Sequence, residues 1–510
     1  MPRYAAIDIG SNSIRMLAAD VTPGRQMAVL EADRVITRLG ASVFRAGAIS
    51  DEAMEAACAV LRRMAAAYQR HDLDGVRIVA TAAVRDASNR LEFIERAAEA
   101  AGAPIDIVSG QEEARLIHLG VQSKWPHPRH RVLIVDIGGG SAEIIHSENG
   151  QMMEAFSRPL GAVRLTGVFL DEDPPEEMHL HQMIEFIDEK LAKVVDRLGR
   201  IRPDRVIGTS ATAAALVCAV NRIPRARREE ADRLRATLPQ VRGLFCDLAG
   251  RKREARAKIT GVGPRRAEII VAGVAVMLRI LEKFTLPSVY YSTAGVREGI
   301  VADLAARRVG RELSRLSRDQ RLVVEQLARK FNVSLKHAKR VAEYAHDLFE
   351  PLRPLHGLSP YCGKLLEAAC YLYDSGHYIS DTAHHKHSSY IVENSDLPGF
   401  TDQERRLIAM LCRYHRKSAP SARHVGFEAM PAEERRVVLR LIPLLRLADA
   451  LDRSKEQRVR AIEVTQRNGS VALVLRSEQD VDLEAWAAKR TGQVFEQTFG
   501  IPLLVSRTRR

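Results

Sequence analysis

Two short passages place a carboxylate at the end of an apolar run and follow it directly with glycine and small polar residues. Asp8-Ile-Gly-Ser-Asn-Ser13 and Asp136-Ile-Gly-Gly-Gly-Ser141 share the pattern D-I-G-x-x-S, and Gly208-Thr-Ser-Ala-Thr212 opens a third such turn after Arg205-Val-Ile. Glycine lets backbone N–H groups approach phosphate oxygens, and serine or threonine hydroxyls add donors. An aspartate at the strand end suits Mg²⁺, a hard cation that takes carboxylate and phosphate oxygens. One such loop is commonly only a turn; three in one chain favour a phosphate site over three structural turns. The repeated pattern implies an internal duplication.

Other residues could join this chemistry. Glu143 stands two positions beyond Ser141 and could share a metal with Asp136; the alternative is a surface glutamate on an edge strand. Ser109-Gly-Gln-Glu-Glu-Ala-Arg115 opens a helix with Glu112 and Glu113 in its first turn, where the helix dipole favours acids with or without catalysis. Arg85 is a candidate phosphate clamp, since a guanidinium binds phosphate bidentately, although a surface arginine would look the same.

The elements that would position these residues are read from periodicity. Strands are expected at Tyr4–Asp8, 76–81 and 105–108, with β-like segments over 14–37 around Pro23-Gly24. Helices are expected over 51–67, with Ser50 as N-cap, and over 89–101. Such alternation suggests an α/β layer with buried parallel strands. After Arg311 the texture changes: 317–460 read as amphipathic helices and carry nine of the 16 histidines. Alternation returns over 461–475 around Asn468-Gly469, a hairpin signal, before a helix over 483–499 and a strand over 502–506.

Composition narrows the class. The chain has 510 residues, 46% hydrophobic and 28% charged, which fits a globular protein and argues against disorder or a disulfide scaffold. The longest apolar run, Ile269 to Leu278, is far shorter than the roughly 18 residues of a membrane span, and Asp8 interrupts any signal-peptide layout. Six scattered cysteines with no C-x-x-C pair suggest reduced thiols and a cytoplasmic protein. The net charge of +13 is concentrated between Arg197 and Gly310, with 23 basic and 10 acidic residues. Clusters at 222–228, at Arg251, Lys252 and Arg253, and at Arg265 and Arg266 would attract a polyanion, or else be a solvated face.

Taken in order, Asp8-Ile-Gly-Ser-Asn-Ser-Ile-Arg15, Thr81-Ala-Ala-Val-Arg-Asp-Ala-Ser-Asn89, Ser109 to Arg115, Asp136 to Glu143, Gly208 to Thr212 and Gly295-Val-Arg-Glu-Gly299 resemble the exopolyphosphatase and guanosine pentaphosphate phosphatase family. The resemblance spans about residues 4 to 305. It implies two actin-like α/β domains of the sugar-kinase and heat-shock ATPase superfamily, over 1–125 and 126–309. A mostly helical HD-like domain over 310–460 and a small α/β tail over 461–510 complete the expected architecture. It further implies that Glu113 is the base for the attacking water, and that Asp136 and Glu143, with Asp8 nearby, hold Mg²⁺. Ser11, Asn12, Ser13, Arg85, Gly138, Gly139, Gly140, Ser141, Gly208, Ser210 and Thr212 would line the phosphate site. The basic residues Arg251, Lys252, Arg253, Arg265 and Arg266 would guide a polyphosphate chain. A homodimer is the assembly that the family implies.

Within the resemblance, inorganic polyphosphate and guanosine pentaphosphate are alternative substrates served by the same residues. An actin-like ATPase or sugar kinase would use the same loops, but the Glu-Glu-Ala helix favours the phosphatase. A nucleic-acid-binding module would explain the charge, yet aromatics are only 5% of the chain and no stacking motif accompanies the arginines. The later region, with His384-His-Lys-His-Ser-Ser-Tyr390 and Tyr414-His-Arg-Lys417, resembles the helical extension of long family members and the HD phosphohydrolase fold, with His346, Asp374, His384, His415 and Asp449 in order. Tyr373-Asp374 replaces the His-Asp pair of such a site, so a non-catalytic extension is expected, with His384, His385 and His387 read as polar surface residues, the alternative being that they bind a metal or phosphate.

Overall fold

The apolar run after Pro2 forms β1 (Arg3–Ile9), buried from Tyr4 onward, because both of its faces are covered. It pairs antiparallel with β2 (Ser13–Val21), which pairs antiparallel with β3 (Met27–Ile36). On its other edge it runs parallel to β4 (Gly75–Ala80), which is followed by β5 (Ile105–Ile107), giving the order β3-β2-β1-β4-β5. The computed structural model describes residues 1–22, 26–308, 314–421, 424–467 and 469–509, so Pro23, Gly24 and Asn468 of the expected turns lie outside the described residues. Ser50 caps the Asp51–Tyr68 helix by accepting the Ala53 N–H, as expected.

The same plan recurs. Strands β6 (Arg131–Ile137), β7 (Ala142–Glu148) and β8 (Gln151–Arg158) form an antiparallel meander. Strand β9 (Arg205–Thr209) runs parallel to β6, and β11 (Ser288–Tyr291) parallel to β9. The second sheet therefore has the order β8-β7-β6-β9-β11, with β10 (Arg235–Thr237) added at its edge. The duplication read from two hexapeptides is thus a duplication of whole sheets, and the architecture of this part is α/β. Both sheets belong to one compact unit, Met1–Arg308.

The Gly110–Lys124 helix carries Glu113, and three constraints fix it. Ser109 caps it by accepting the Glu112 N–H at 3.2 Å. Glu112 receives Arg115 Nε at 2.8 Å and Arg77 Nη2 at 3.2 Å, and both arginines also donate to Asp303, at 2.9 and 3.1 Å. All four side chains are buried. Third, the helix meets the Val296–Arg308 helix almost backbone to backbone: a Cβ on Gly120 would lie 2.1 Å from the Gly295 carbonyl oxygen, and one on Gly299 only 1.7 Å from that of Leu116.

The other unit, Val309–Arg510, is mainly helical. Its apolar core joins helix residues such as Val341, Leu366 and Leu445 to Leu473 of β13 (Ser470–Ser477) and Phe495 of the Asp482–Phe499 helix. Strand β13 lies between β12 (Ala461–Arg467) and β14 (Leu503–Arg509). Two expectations for this unit are corrected. His337, not His346, reaches the centre: its Nδ1 lies 2.7 Å from Asp452 and its Nε2 2.8 Å from the Tyr373 hydroxyl, which donates to Asp449 at 2.7 Å. Nine residues separate the two histidines, two and a half helical turns, so they face opposite ways. His384 and His385 are not surface residues; they are 3% and 7% exposed, because the first turn of the His384–Glu393 helix is packed inward. Among the described residues no helix is long and apolar enough to cross a membrane, and the six cysteines are unpaired.

Removing one charge from the buried network should be costly. Arg115→Met leaves Glu112 and Asp303 short of a partner and should lower stability by about 3–5 kcal/mol. Adding Asp303→Leu to it should recover part of that loss. Urea midpoints of the two variants measure both; an unchanged midpoint in the single variant would refute the structural role given to the network.

Candidate active site

Each duplicated hexapeptide forms the same four-residue turn. The Gly10 N–H donates to the Ser13 carbonyl at 3.2 Å, and the Gly138 N–H to the Ser141 carbonyl at 3.0 Å. The turns close the β1–β2 and β6–β7 hairpins, in which Asp8 lies opposite Arg15 and Asp136 opposite Glu143. The two turns also touch each other. A Cβ on Gly139 would stand 3.2 Å from the Asn12 backbone nitrogen, and one on Gly140 2.7 Å from the Ser11 hydroxyl, so glycine at these positions permits the contact. Ser11, Ser13 and Ser141 are buried here, and the Asn12 amide nitrogen is buried without a hydrogen-bond partner among the described residues.

Asp8, Glu113, Asp136 and Glu143 are all buried, between 1% and 8% exposed. Burial pushes the Glu113 carboxyl up to about 7, opposed by Arg85, whose Nη1 lies 3.4 Å away, and reinforced by Asp8 and Asp136. Asp136 is pushed up to about 6 by burial, against Arg15 and a hydrogen bond from the Thr209 hydroxyl at 3.2 Å. Glu143 is raised furthest, by burial and then by Glu113 and Asp136, although the Ser157 hydroxyl donates to it at 2.8 Å. Asp8 is also raised by burial. Glu113 feels Asp8 and Asp136, Asp136 feels Asp8, and Glu143 feels Glu113 and Asp136, so the four form one electrostatic cluster, bordered by Arg15, Arg85, Arg266 and Arg297. The surface alternative for Glu143 fails because β7 has β6 and β8 on its two sides.

The remaining sequence-derived residues divide. Arg85 lies in the short Ala82–Asp86 helix and is tied to the Val108 carbonyl at 2.7 Å as well as to Glu113. Ser210 and Thr212 both donate from their hydroxyls to the Ile137 carbonyl, at 3.0 and 2.9 Å, which fixes the end of β6 beside the Asp136 turn. Ser210 adopts φ +73 to do so, a conformation costly for a residue with a Cβ. Gly208 lies within β9, where a Cβ would press on Ala213 and Val289, so its role is packing. Arg251 and Arg253 are exposed and paired with Asp247 and Glu268, Lys252 is exposed at the start of the Arg253–Ala257 helix, and Arg265 is exposed.

Arg266 differs from its exposed neighbours. It is 5% exposed and lines a pocket with Arg34 of β3, Arg225 and Arg228. Nε and Nη2 of Arg34 and Nε of Arg266 are buried with no hydrogen-bond partner among the described residues. Burial, and then the neighbouring guanidinium groups, lower Arg34 to about 8 and Arg266 to about 9. Arg266 and Arg15 also act on Asp136, which places this positive field beside the carboxylates. Arg15, Arg34, Arg225 and Arg228 had not been singled out from the sequence as individual site residues. Arg15 was legible as the position opposite Asp8 in the first hairpin; Arg34 carried no local signal.

The arrangement pairs a buried carboxylate cluster, including one carboxyl poised near neutrality, with glycine-rich turns and an arginine-lined pocket. It suits hydrolysis of a phosphate compound. The profile of the Ppx/GppA phosphatase family matches residues 17–308, and that of Ppx/GppA phosphatase domain III matches residues 320–488. Among solved structures, a crystal structure of an Aquifex aeolicus member of the Ppx/GppA family is 29% identical, covers 61% of this chain and 99% of its own, and has a TM-score of 0.53. An exopolyphosphatase from Cytophaga hutchinsonii is 27% identical over 60% of this chain and 98% of its own, with a TM-score of 0.55. An exopolyphosphatase-like protein gives 27%, 60%, 98% and 0.57. The chain belongs to the Ppx/GppA phosphatase family, hydrolases acting on phosphoanhydrides.

Proposed function

We propose that this protein is an exopolyphosphatase that hydrolyses the terminal phosphoanhydride of inorganic polyphosphate processively and releases orthophosphate. The observation that carries the reading is Glu113, held beside three further buried carboxylates with its own carboxyl near 7. A group with that affinity can take a proton from water at neutral pH and give it up again. The water oxygen then attacks the terminal phosphorus as the bond to the bridging oxygen breaks, and the shortened chain leaves with that oxygen. Glu113 orients the water, and Arg85 orients Glu113 through the 3.4 Å contact. Turn N–H groups at Gly139–Gly140 and 11–12, with the unpartnered Asn12 amide, are donors for the phosphoryl oxygens.

Asp136, Glu143 and Asp8 are the residues that would hold Mg²⁺. The fit rests on their chemistry: hard oxygen donors, buried, with no cation among the groups that act on Glu143. When bound, the ion would neutralise charge on the phosphate oxygens. The arginine pocket would hold further phosphates of the chain, with the exposed Arg251, Lys252, Arg253 and Arg265 as its outer approach. Guanosine pentaphosphate is the second reading, favoured by the same pocket: a ligand phosphorylated at two ends presents one anionic group to the carboxylate cluster and another to the arginines. We read the helical unit as a non-catalytic HD-like extension with a small α/β tail, the protein as cytoplasmic, and its assembly as a homodimer.

Glu113→Gln should lower kcat for polyphosphate by about 10²–10⁴-fold while leaving the fold intact, as phosphate release and circular dichroism would report. Wild-type turnover in the variant would remove Glu113 from the reaction. Assays with polyphosphate, guanosine pentaphosphate and ATP separate the substrates. Replacing Arg225 and Arg228 with alanine should raise KM for long chains more than for short ones; equal effects would exclude a role along the chain. The raised carboxyls also bear on stability. Their protonated forms stabilise the fold below the unfolded value near 4, and this is lost as pH rises through about 6–7. The melting temperature of metal-free protein should therefore fall between pH 4 and 8, with a loss of about 3 kcal/mol of stability for each of these two carboxyls, and Mg²⁺ should restore it at pH 8. A flat metal-free profile would contradict the shared burial of these carboxyls.

A further inference from the structure

A second group of ligand-type side chains lies in the helical unit, among residues that phosphoanhydride hydrolysis does not use. Asp374 follows the Cys362–Leu372 helix, His377 lies in the turn Ser375–Tyr378, and His384 opens the His384–Glu393 helix. One ligand atom from each lies within 4.8 Å of the others. His415, just past the Asp402–Tyr414 helix, brings its Nε2 to 3.3 Å from Nε2 of His384.

The hydrogen bonds of His377 and His415 assign their tautomers. His415 Nδ1 lies 2.8 Å from the Cys412 carbonyl oxygen and His377 Nδ1 2.6 Å from the Asp381 carboxylate. Both partners are acceptors, so each Nδ1 carries a proton and in the neutral rings the lone pairs are on Nε2. This is how metal-binding imidazoles are held, by a backbone carbonyl or carboxylate on the nitrogen away from the ion. His384 Nδ1 lies 3.3 Å from both the Asp381 carbonyl oxygen and Arg416 Nη1. The Nε2 atoms of His384 and His415 face each other at 3.3 Å, close to the spacing of two ligands on one tetrahedral ion.

Two side-chain cations lie beside these ligand atoms. Arg416 Nη1 lies 3.2 Å from His384 Nε2, and Lys455 Nζ lies 3.1 Å from Asp374 Oδ2. Arg416 is exposed and the Lys455 side chain is 56% exposed, so both can turn outward into solvent. The neighbouring set is closed to a metal ion: the Tyr373 hydroxyl bridges His337 and Asp449, at 2.8 and 2.7 Å.

We propose that Asp374, His377 and His384, with His415 as a fourth ligand, bind one divalent cation of the Zn²⁺ class. Three imidazole nitrogens and one carboxylate favour such a borderline ion over Mg²⁺. Bonds of about 2.0–2.1 Å place tetrahedral ligand atoms roughly 3.4 Å apart, so small side-chain rotations assemble the site. The bound ion ties the turn at 375–378 to two helices of this unit. The proposal goes beyond the phosphohydrolase reading and does not rest on it.

The test uses tag-free, full-length protein stripped with a chelator and kept in excess Mg²⁺, titrated with Zn²⁺ by calorimetry and with Co²⁺ by visible absorption. One equivalent of Zn²⁺ and ligand-field bands from bound Co²⁺ are expected. His377→Ala should weaken Zn²⁺ binding by at least about 100-fold and abolish the bands. His377 is 40% exposed on its side chain, so this variant keeps the fold, which its metal-free melt verifies; Asp374→Asn is the second variant. No stoichiometric Zn²⁺ binding by the wild type, or binding unchanged in His377→Ala, would overturn the proposal.

Discussion

Asp8, Glu113, Asp136 and Glu143 cannot all be anions in one buried volume unless positive charge joins them, and much of the first unit is arranged around that conflict. Their carboxyls are raised first because water is excluded, and for Glu113, Asp136 and Glu143 also because neighbouring carboxylates of the group repel. Arg15 and Arg85 offset part of the repulsion, while Thr209 and Ser157 donate hydrogen bonds to the charged forms. A fold optimised only for stability would replace these acids by apolar side chains. Keeping them means that the site gains most when a cation and a phosphate enter together.

The two sheets supply these groups symmetrically, but with different residues at matching positions. In the first hairpin the residue opposite the strand-end aspartate is Arg15; in the second it is Glu143. One copy of the duplicated element therefore brings a cation and the other an additional carboxylate. The turns themselves keep the same Gly-to-Ser hydrogen bond, so the backbone framework is shared and the electrostatic roles have separated.

Much of this was legible from the sequence, because strand ends, turn glycines and helix caps are local signals. The Asp8 and Asp136 turns, the Ser109 cap and the two glutamates after it all lie within a few residues of the features that identify them. Arg34 and Arg266 were harder: one lies on a strand of the first sheet, the other in a turn far along the chain, and only the fold brings them to one pocket. Treating 251–266 as a uniform basic segment concealed that Arg266 is buried while Arg251 and Arg265 are not. In the helical unit, residue order alone favoured His346 over His337, because the helical phase relative to Tyr373 depends on packing. Burial of His384 and His385 was likewise concealed, since a run of polar residues reads as solvent-facing whatever is packed against it.

The contact between the helices carrying Gly120 and Gly299 has a mechanical consequence. With backbone atoms already at packing distance, neither helix can slide past the other without a collision, and the buried Glu112–Arg115–Asp303 links oppose their separation. The pair therefore behaves as an axle. Any opening or closing of the two sheets about their facing turns is restricted to rotation about this fixed line, so Glu113, seven residues before Gly120 on the same helix, sweeps only a short arc.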